Sequence, residues 1–210
     1  MADAPRSSTP EASPAPGRES ARTVLDEAAI QRALVRIAHE VVERNQDLGS
    51  LYIVAIPNGG VPLGRLLVEH LASIADLSIP LGILDTTLYR DDLATRGERP
   101  PLRATEMPSS VDGRVVVLVE DVVNTGRTIR AAMDALMDFG RPRAVQVVAL
   151  VDRGHRELPI RIDYVGKNIP TRPDEAVVFR GAEEGFEGAL EVLVLDSGTQ
   201  RETPKAGAAS

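Results

Sequence analysis

The feature that most constrains the fold is an uninterrupted aliphatic run, Val115–Val119, which precedes a polar turn and a helical pattern. A strand with no polar residue on either face is typical of a parallel sheet covered on both sides. Other short aliphatic runs alternate with segments in which apolar residues recur every 3.6 positions. The predicted strands are Leu51–Ile56, Ile79–Leu84, Val115–Val119, Val145–Val151, Ile160–Val165, Ala176–Phe179 and Leu190–Leu195, and the predicted helices are Asp26–Asn45, Leu63–Ile74 and Ile129–Phe139. This alternation predicts an α/β fold with a mainly parallel sheet flanked by helices.

Composition places this fold in one domain with polar ends. The 210 residues are 43% hydrophobic and 26% charged, which suits a single globular domain. Residues 1–21 and 197–210 have almost no aliphatic bulk, so we expect disordered tails around a domain at residues 22–196. The chain has no Cys, which excludes disulfides and thiolate metal sites. No apolar run approaches the roughly 20 residues of a membrane helix, and we expect a cytoplasmic protein without membrane attachment.

The charge is unevenly distributed. The net charge of −7 argues against a uniformly basic nucleic-acid binder. Between Arg127 and Arg172, however, the sequence contains nine Arg or Lys residues and only five Asp or Glu residues. This stretch therefore has a net charge of +4, while the rest of the chain has −11. A basic surface is therefore expected on an otherwise acidic molecule.

Residues that suit a sugar phosphate follow the central predicted strand. Glu120 and Asp121 come at its carboxyl end, where open parallel sheets bind their ligands. Thr125, Gly126 and Thr128 then lead into a helix, whose free amide groups and dipole favour a phosphate. Carboxylates can hold sugar hydroxyls or a hydrated magnesium ion. The segment therefore predicts a sugar-phosphate site.

A long polar segment, Tyr89–Asp112, separates two of the predicted strands. It contains Gly97, Pro100 and Pro101 and shows neither a strand nor a helix pattern. Such a stretch inside a globular domain indicates a functional loop that can cover a site.

The residues V-V-L-V-E-D-V-V-N-T-G-R-T, at positions 116–128, resemble the phosphoribosyl pyrophosphate (PRPP) motif of type I phosphoribosyltransferases. The resemblance extends to the PyrR family, whose members regulate pyrimidine operons and are also uracil phosphoribosyltransferases. The matching segments lie between Val24 and Leu195, and they are Leu25–Glu27, Arg32–Glu40, Thr87–Leu93, Gly126–Leu136 and Val151–Thr171. The implied fold is a type I phosphoribosyltransferase-like parallel sheet with a small hood region.

The resemblance also implies roles for particular residues. Glu120 and Asp121 would bind the ribose of PRPP or UMP, while Asn124, Thr125, Gly126, Arg127 and Thr128 would bind its 5′-phosphate. The pyrophosphate loop would be Asn58, Gly59 and Gly60, and the lid would include Tyr89, Arg90, Asp91 and Asp92. The implied reaction forms UMP and pyrophosphate from uracil and PRPP. Magnesium would enter with PRPP, without a direct protein metal site.

The same resemblance implies an RNA-binding role. Members of the family bind a pyrimidine-operon leader transcript when UMP is bound, through a basic surface of a homodimer or higher homo-oligomer. The corresponding residues of this chain are Arg36, His39, His155, Arg156, Arg161 and Lys167. Arg and Lys would contact phosphates, and the His side chains would hydrogen-bond bases or phosphates.

Two departures from the family pattern concern catalysis. The family carries a basic residue and an Arg-Gly pair in the pyrophosphate loop, whereas this chain has Gly59 at the arginine position. Asn124 stands where relatives have Tyr or Asp. The expectation is a UMP-responsive RNA attenuator with weak transferase activity. The alternatives are a phosphoribosyltransferase without an RNA role and a catalytically inactive nucleotide sensor.

Overall fold

Eight strands form two sheets in the computed structural model, which describes residues 21–91, 103–181 and 188–196. The strands are β1 (Ala21–Leu25), β2 (Leu51–Ala55), β3 (Leu81–Ile83), β4 (Val115–Val123), β5 (Ala144–Asp152), β6 (Tyr164–Asn168), β7 (Glu175–Arg180) and β8 (Glu191–Asp196). The larger sheet has the order β3-β2-β4-β5-β6, and every neighbouring pair in it is parallel. The predicted α/β class is therefore confirmed.

Three helices cover the parallel sheet. Helices α1 (Glu27–Arg44) and α2 (Gly60–Ala75) pack on one face, and α3 (Arg127–Leu136) packs on the other. The Asp26 side chain caps α1 by accepting a hydrogen bond of 2.7 Å from the Ala29 amide. Helix α2 begins at Gly60, three residues before its predicted start, because Pro62 is compatible with the first turn of a helix.

The smaller sheet has the order β1-β8-β7 and is antiparallel. It joins the segment before α1 to the last two strands, and Val192 and Val194 on β8 belong to the same buried cluster as α1. This sheet is the expected hood. Across the residues that the model describes, no helix has the length and apolar character needed to cross a membrane.

Several predicted boundaries were wrong. Strand β4 continues to Val123, past its predicted end at Val119, because β5 pairs with it as far as Asp152. Strand β6 begins at Tyr164 instead of Ile160, because Asp163 bonds to Val147 outside the regular ladder through both its main chain and its side chain. The predicted third helix ends at Leu136, and its last residues form a 3-10 turn. Ala21, assigned to the tail, begins β1, while residues 1–20 and 197–210 lie outside the described ranges.

Candidate functional site

The carboxyl end of β4 presents its two acids to opposite faces of the sheet. Leu118 packs in the core beneath α3, whereas Val119 packs in the core beneath α1 and α2. Side chains alternate along a strand, so Glu120 faces the α3 side and Asp121 the α2 side. Glu120 lines a cavity of about 370 Å³, and Asp121 lies against Gly59. The two carboxylates therefore flank the end of β4 and can reach one ligand from two sides.

The five residues predicted to bind phosphate all line this cavity, and they are Asn124, Thr125, Gly126, Arg127 and Thr128. Gly126 adopts a φ of 89° directly before α3, a conformation that favours glycine. The first amides of α3 lack helical acceptors and carry the positive end of the helix dipole. The structure thus places a helix start, two threonine hydroxyls and Glu120 around one polar cavity.

Glu120 is a buried acid whose pKa is raised. Its residue is 7% exposed, and its Oε2 atom is buried with no hydrogen-bond partner among the described residues. Burial first, and the neighbouring Asp121 carboxylate second, raise the pKa of Glu120 to about 8, although Thr128, Arg90 and Arg156 act in the opposite direction. An unpaired buried acceptor is costly unless a ligand supplies a donor. Ribose hydroxyls are donors of this kind.

A second unpaired acceptor lies in the same cavity. The Oδ1 atom of Asn124 is buried and has no hydrogen-bond partner among the described residues. The amide oxygen of Asn124 can accept a hydrogen bond but does not take up a proton. Asn124 therefore suits ligand binding better than proton transfer.

Asp121 contacts the pyrophosphate loop. A Cβ atom built on Gly59 would lie 2.2 Å from Asp121 Oδ2, and one built on Gly60 would lie 2.3 Å from the Val119 carbonyl oxygen. Both glycines thus permit a close approach that no other residue allows. Burial raises the pKa of Asp121, while main-chain amides lower it. The loop brings main-chain groups, but no charged side chain, to this acid.

The start of the predicted lid is attached to α3. The Tyr89 hydroxyl donates to Asp138, and Arg130 donates to the Tyr89 carbonyl at 2.7 Å. Arg90 reaches Thr128 Oγ1 at 3.4 Å and lines the cavity. Residues 92–102, including Asp92, lie outside the described residues.

Asp91 and Glu157 both pair with Arg127. Their carboxylates lie 2.5 Å and 2.7 Å from the Arg127 guanidinium, and Glu157 also lines the cavity. The three side chains are 39–54% exposed, so each pair contributes little stability by itself. Together, these pairs link the predicted lid, the start of α3 and the segment after β5 at the rim of the cavity.

Asp85 holds the two ends of the long loop together. Its carboxylate accepts hydrogen bonds from the Thr87 amide and hydroxyl, at 2.9 and 2.6 Å, and from the Arg103 amide at 2.7 Å. Burial raises its pKa, but these hydrogen bonds outweigh burial and leave the pKa below its ordinary value. Asp85 is therefore an ionised clamp at the base of the loop.

The residues predicted to contact RNA fall into two environments. Arg36, His39, Arg161 and Lys167 are exposed, and Arg36 donates to the Val165 and Gly166 carbonyls of β6 beside Lys167. His155 and Arg156 are partly buried, since His155 Nε2 lies 2.8 Å from the Thr171 carbonyl and Arg156 binds three groups of the protein.

Sequence analysis missed Glu157, Asp85 and the internal role of Arg156. The first two had a usable signal, because each follows a predicted strand of the parallel sheet, and the carboxyl ends of parallel strands meet at one edge. The contacts of Arg156 had no such signal, since they depend on the path of the segment after β5.

Comparison with known proteins assigns the family. The family described as the phosphoribosyl transferase domain matches residues 20–182. A protein of Pelotomaculum thermopropionicum named "Bifunctional protein PyrR" is 52% identical over 180 residues, which cover 86% of this chain and 98% of the relative. A protein of the same name from Roseiflexus sp. is 52% identical and covers 76% of this chain and 87% of the relative. This chain belongs to the PyrR family.

The solved structures show the same fold beyond the PyrR family. A hypoxanthine-guanine phosphoribosyltransferase of Bacillus anthracis superposes with a TM-score of 0.66 at 20% identity, covering 84% of this chain and 99% of the other. The hypoxanthine phosphoribosyltransferase of Trypanosoma cruzi gives a TM-score of 0.64 at 19% identity, covering 83% and 96%. At such identities the likeness concerns the fold alone. It confirms the predicted type I phosphoribosyltransferase fold, whereas PyrR membership rests on the similar sequences.

Proposed function

We propose that this protein forms UMP and pyrophosphate from uracil and PRPP, and that it binds a pyrimidine-operon leader RNA in response to UMP. The observation that carries the first part is the buried, unpaired Oε2 of Glu120 beside the start of α3. A ribose 5-phosphate satisfies both ends of this cavity. Its phosphate accepts from the α3 amides and threonine hydroxyls, and its hydroxyls donate to the carboxylates.

In this reaction the protein acts mainly by positioning the two reactants. A ring nitrogen of uracil bonds to C1 of the ribose as the bond from C1 to the pyrophosphate oxygen breaks, through a transition state with oxocarbenium character, and the proton of that nitrogen leaves with the pyrophosphate. Holding both reactants in line, and stabilising the charge of the leaving group, lowers this barrier. The residues Asn124–Thr128 at the start of α3, which we call the phosphate cradle, hold the 5′-phosphate. Glu120 and Asp121 orient the sugar ring.

Magnesium fits the donors of this site. The described residues hold no cluster of three or more His, Cys, Asp or Glu that could bind the ion directly, so it would enter with PRPP, and the carboxylates of Glu120 and Asp121 could contact its hydration shell. When bound with PRPP, the ion neutralises negative charge on the departing pyrophosphate.

The pyrophosphate loop supports weak turnover. Gly59 and Gly60 offer amides, whereas an Arg at position 59 would add charge-assisted hydrogen bonds worth roughly 1.5–3 kcal/mol each. We expect PRPP- and uracil-dependent UMP formation at least about tenfold slower than in a relative with that Arg. Chromatographic quantification of UMP measures the rate, and an Asp121→Asn variant gives the background. A rate equal to that of the relative would contradict the role assigned to the loop, and UMP binding without turnover would favour the nucleotide-sensor alternative.

The RNA-binding part rests on family membership and on the exposed basic residues. We expect a leader-RNA complex that UMP strengthens and that Arg161→Ala or Lys167→Ala weakens about tenfold, because each removes a charge-assisted phosphate contact. Each substitution should also lower the slope of log affinity against log salt by about one. Gel shifts at several salt concentrations measure both effects, with Arg143→Ala at the other end of β5 as the control. A wild-type protein that binds no leader RNA at low salt would favour the alternative of a transferase without regulation.

The remaining parts of the proposal are a cytoplasmic location and a homodimer or higher homo-oligomer as the RNA-binding unit. They follow from family membership.

A further inference from the structure

The phosphate cradle is attached to the segment that follows β5. Three successive carbonyls at the end of β4 accept hydrogen bonds from this segment. The Arg153 amide donates to Val123 at 3.0 Å. The Arg156 guanidinium donates to Asn124 at 2.6 Å, and the Glu157 amide donates to Thr125 at 3.0 Å.

These bonds orient the amides of the cradle. In a trans peptide, the carbonyl oxygen and the following amide hydrogen point in opposite directions. A carbonyl of Asn124 fixed toward residues 153–158 therefore directs the Thr125 amide away from that segment. Asn124, Thr125 and Glu157 all line the cavity, so the peptide that Arg156 holds is part of the cavity wall. Of the three carbonyl contacts, the one at Asn124 depends on a side chain, so it can be removed by substitution.

Two further contacts within the protein fix the Arg156 side chain. Its Nε donates to the Ile160 carbonyl at 3.1 Å, and its NH2 lies 2.7 Å from Asp152 Oδ2 at the end of β5. The Arg156 and Asp152 side chains are 20% and 16% exposed. All three groups that bind Arg156 belong to the protein, which distinguishes it from the exposed Arg161.

We propose that Arg156 is a positioning residue that holds the Asn124–Thr125 peptide of the phosphate cradle in place and couples the cradle to the basic surface around it. This inference rests on the proposed function. His155 and Arg161 flank the residues that Arg156 ties to the cradle, so a phosphate that fixes the cradle also restricts the segment that carries them. By linkage, UMP and RNA then strengthen each other's binding by the same factor.

The test compares Arg156→Ala with the wild-type protein in UMP affinity and in RNA affinity with and without UMP. We expect UMP binding to weaken on the order of tenfold, because the Asn124–Thr125 peptide is then no longer held in the orientation that binds phosphate. RNA binding without UMP should change less than about twofold, and its enhancement by UMP should fall toward one. The KM for PRPP should rise more than kcat falls, because the cradle binds the 5′-phosphate in both the ground state and the transition state.

A directly RNA-binding Arg156 gives a different pattern. RNA affinity would then fall equally with and without UMP while UMP affinity stayed unchanged, which would overturn the proposal. Arg156→Lys serves as the second variant if Arg156→Ala does not fold, since Lys keeps the charge but cannot make the three contacts at once. Unchanged UMP affinity in a folded Arg156→Lys protein would also overturn it. Arg143→Ala, with its partner Ser50 at the opposite end of β5, should leave all these values unchanged. A wild-type protein that binds neither UMP nor RNA would instead refute the proposed function.

Discussion

Replacing Glu120 with Gln should stabilise the folded protein at pH 8–9 and abolish most of its affinity for UMP. The pKa of Glu120, about 8, lies above the ordinary value of 4.5, so the folded state holds this proton more tightly than the unfolded state. Stability therefore falls as the pH rises from about 4.5 to about 8. Gln removes the buried charge, and we expect a gain of about 1–2 kcal/mol, or roughly 3–6 °C in melting temperature, at pH 8–9.

The loss of affinity also grows as the pH rises past the pKa of Glu120. The ionised carboxylate accepts strong hydrogen bonds from ribose hydroxyls, and Gln should weaken UMP binding by about 10–100-fold once wild-type Glu120 is ionised. Thermal unfolding and calorimetric titration at pH 5, 7 and 9 measure both effects. At pH 5 the two proteins should melt within about 1 °C of each other. A Gln variant that melts lower at pH 9, or that binds UMP as tightly as the wild type, would contradict the role of this buried acid.

Alanine substitutions at the two adjacent glycines of the pyrophosphate loop should have different effects on stability and on PRPP affinity. Gly60→Ala forces a Cβ against the Val119 carbonyl, a main-chain group inside the sheet. We expect a loss of about 2–4 kcal/mol of stability, because neither backbone can move without breaking β4 or α2. Gly59→Ala forces its Cβ against the Asp121 side chain, whose carboxylate can rotate away, whereas Asp121 Cβ, 2.6 Å from the added atom, requires a small shift of the loop. That variant should fold, but its affinity for PRPP should fall about tenfold or more as the carboxylate is displaced.

Urea unfolding and PRPP titration distinguish the two glycine variants. Gly113→Ala is the matched control, since Gly113 has a φ of 67° but no heavy atom within 4 Å of its added Cβ. It should lose only the 1–2 kcal/mol or so of a left-handed alanine and keep its PRPP affinity. Equal losses of stability in Gly59→Ala and Gly60→Ala, with unchanged PRPP binding in Gly59→Ala, would contradict the contact between Gly59 and Asp121.

Local sequence signals predicted the elements that hold the site. The aliphatic run before Glu120 and the residues Thr125–Thr128 sufficed to predict a buried strand followed by a loop at the start of a helix, because both ends of that segment are defined by short-range rules. Asp26 likewise predicted the start of α1 through its capping side chain.

Tertiary contacts decided the rest. The sequence placed Glu120 and Asp121 together at a strand end, but the pairing of β5 as far as Asp152 extends β4 through both acids and turns them to opposite faces. Arg156 looks like a surface cation in the sequence, and only the path of residues 153–158 brings it to the Asn124 carbonyl. Such partners are distant along the chain, so neither periodicity nor spacing reveals them.

Calorimetric titration of the full chain with UMP, and with PRPP in the presence of magnesium, tests the sugar-phosphate site most directly. We predict saturable binding of both ligands by the wild-type protein and binding weakened about tenfold or more by Asp121→Asn. The absence of binding heat for both ligands at several temperatures, or an Asp121→Asn protein that binds them as tightly as the wild type, would contradict the account.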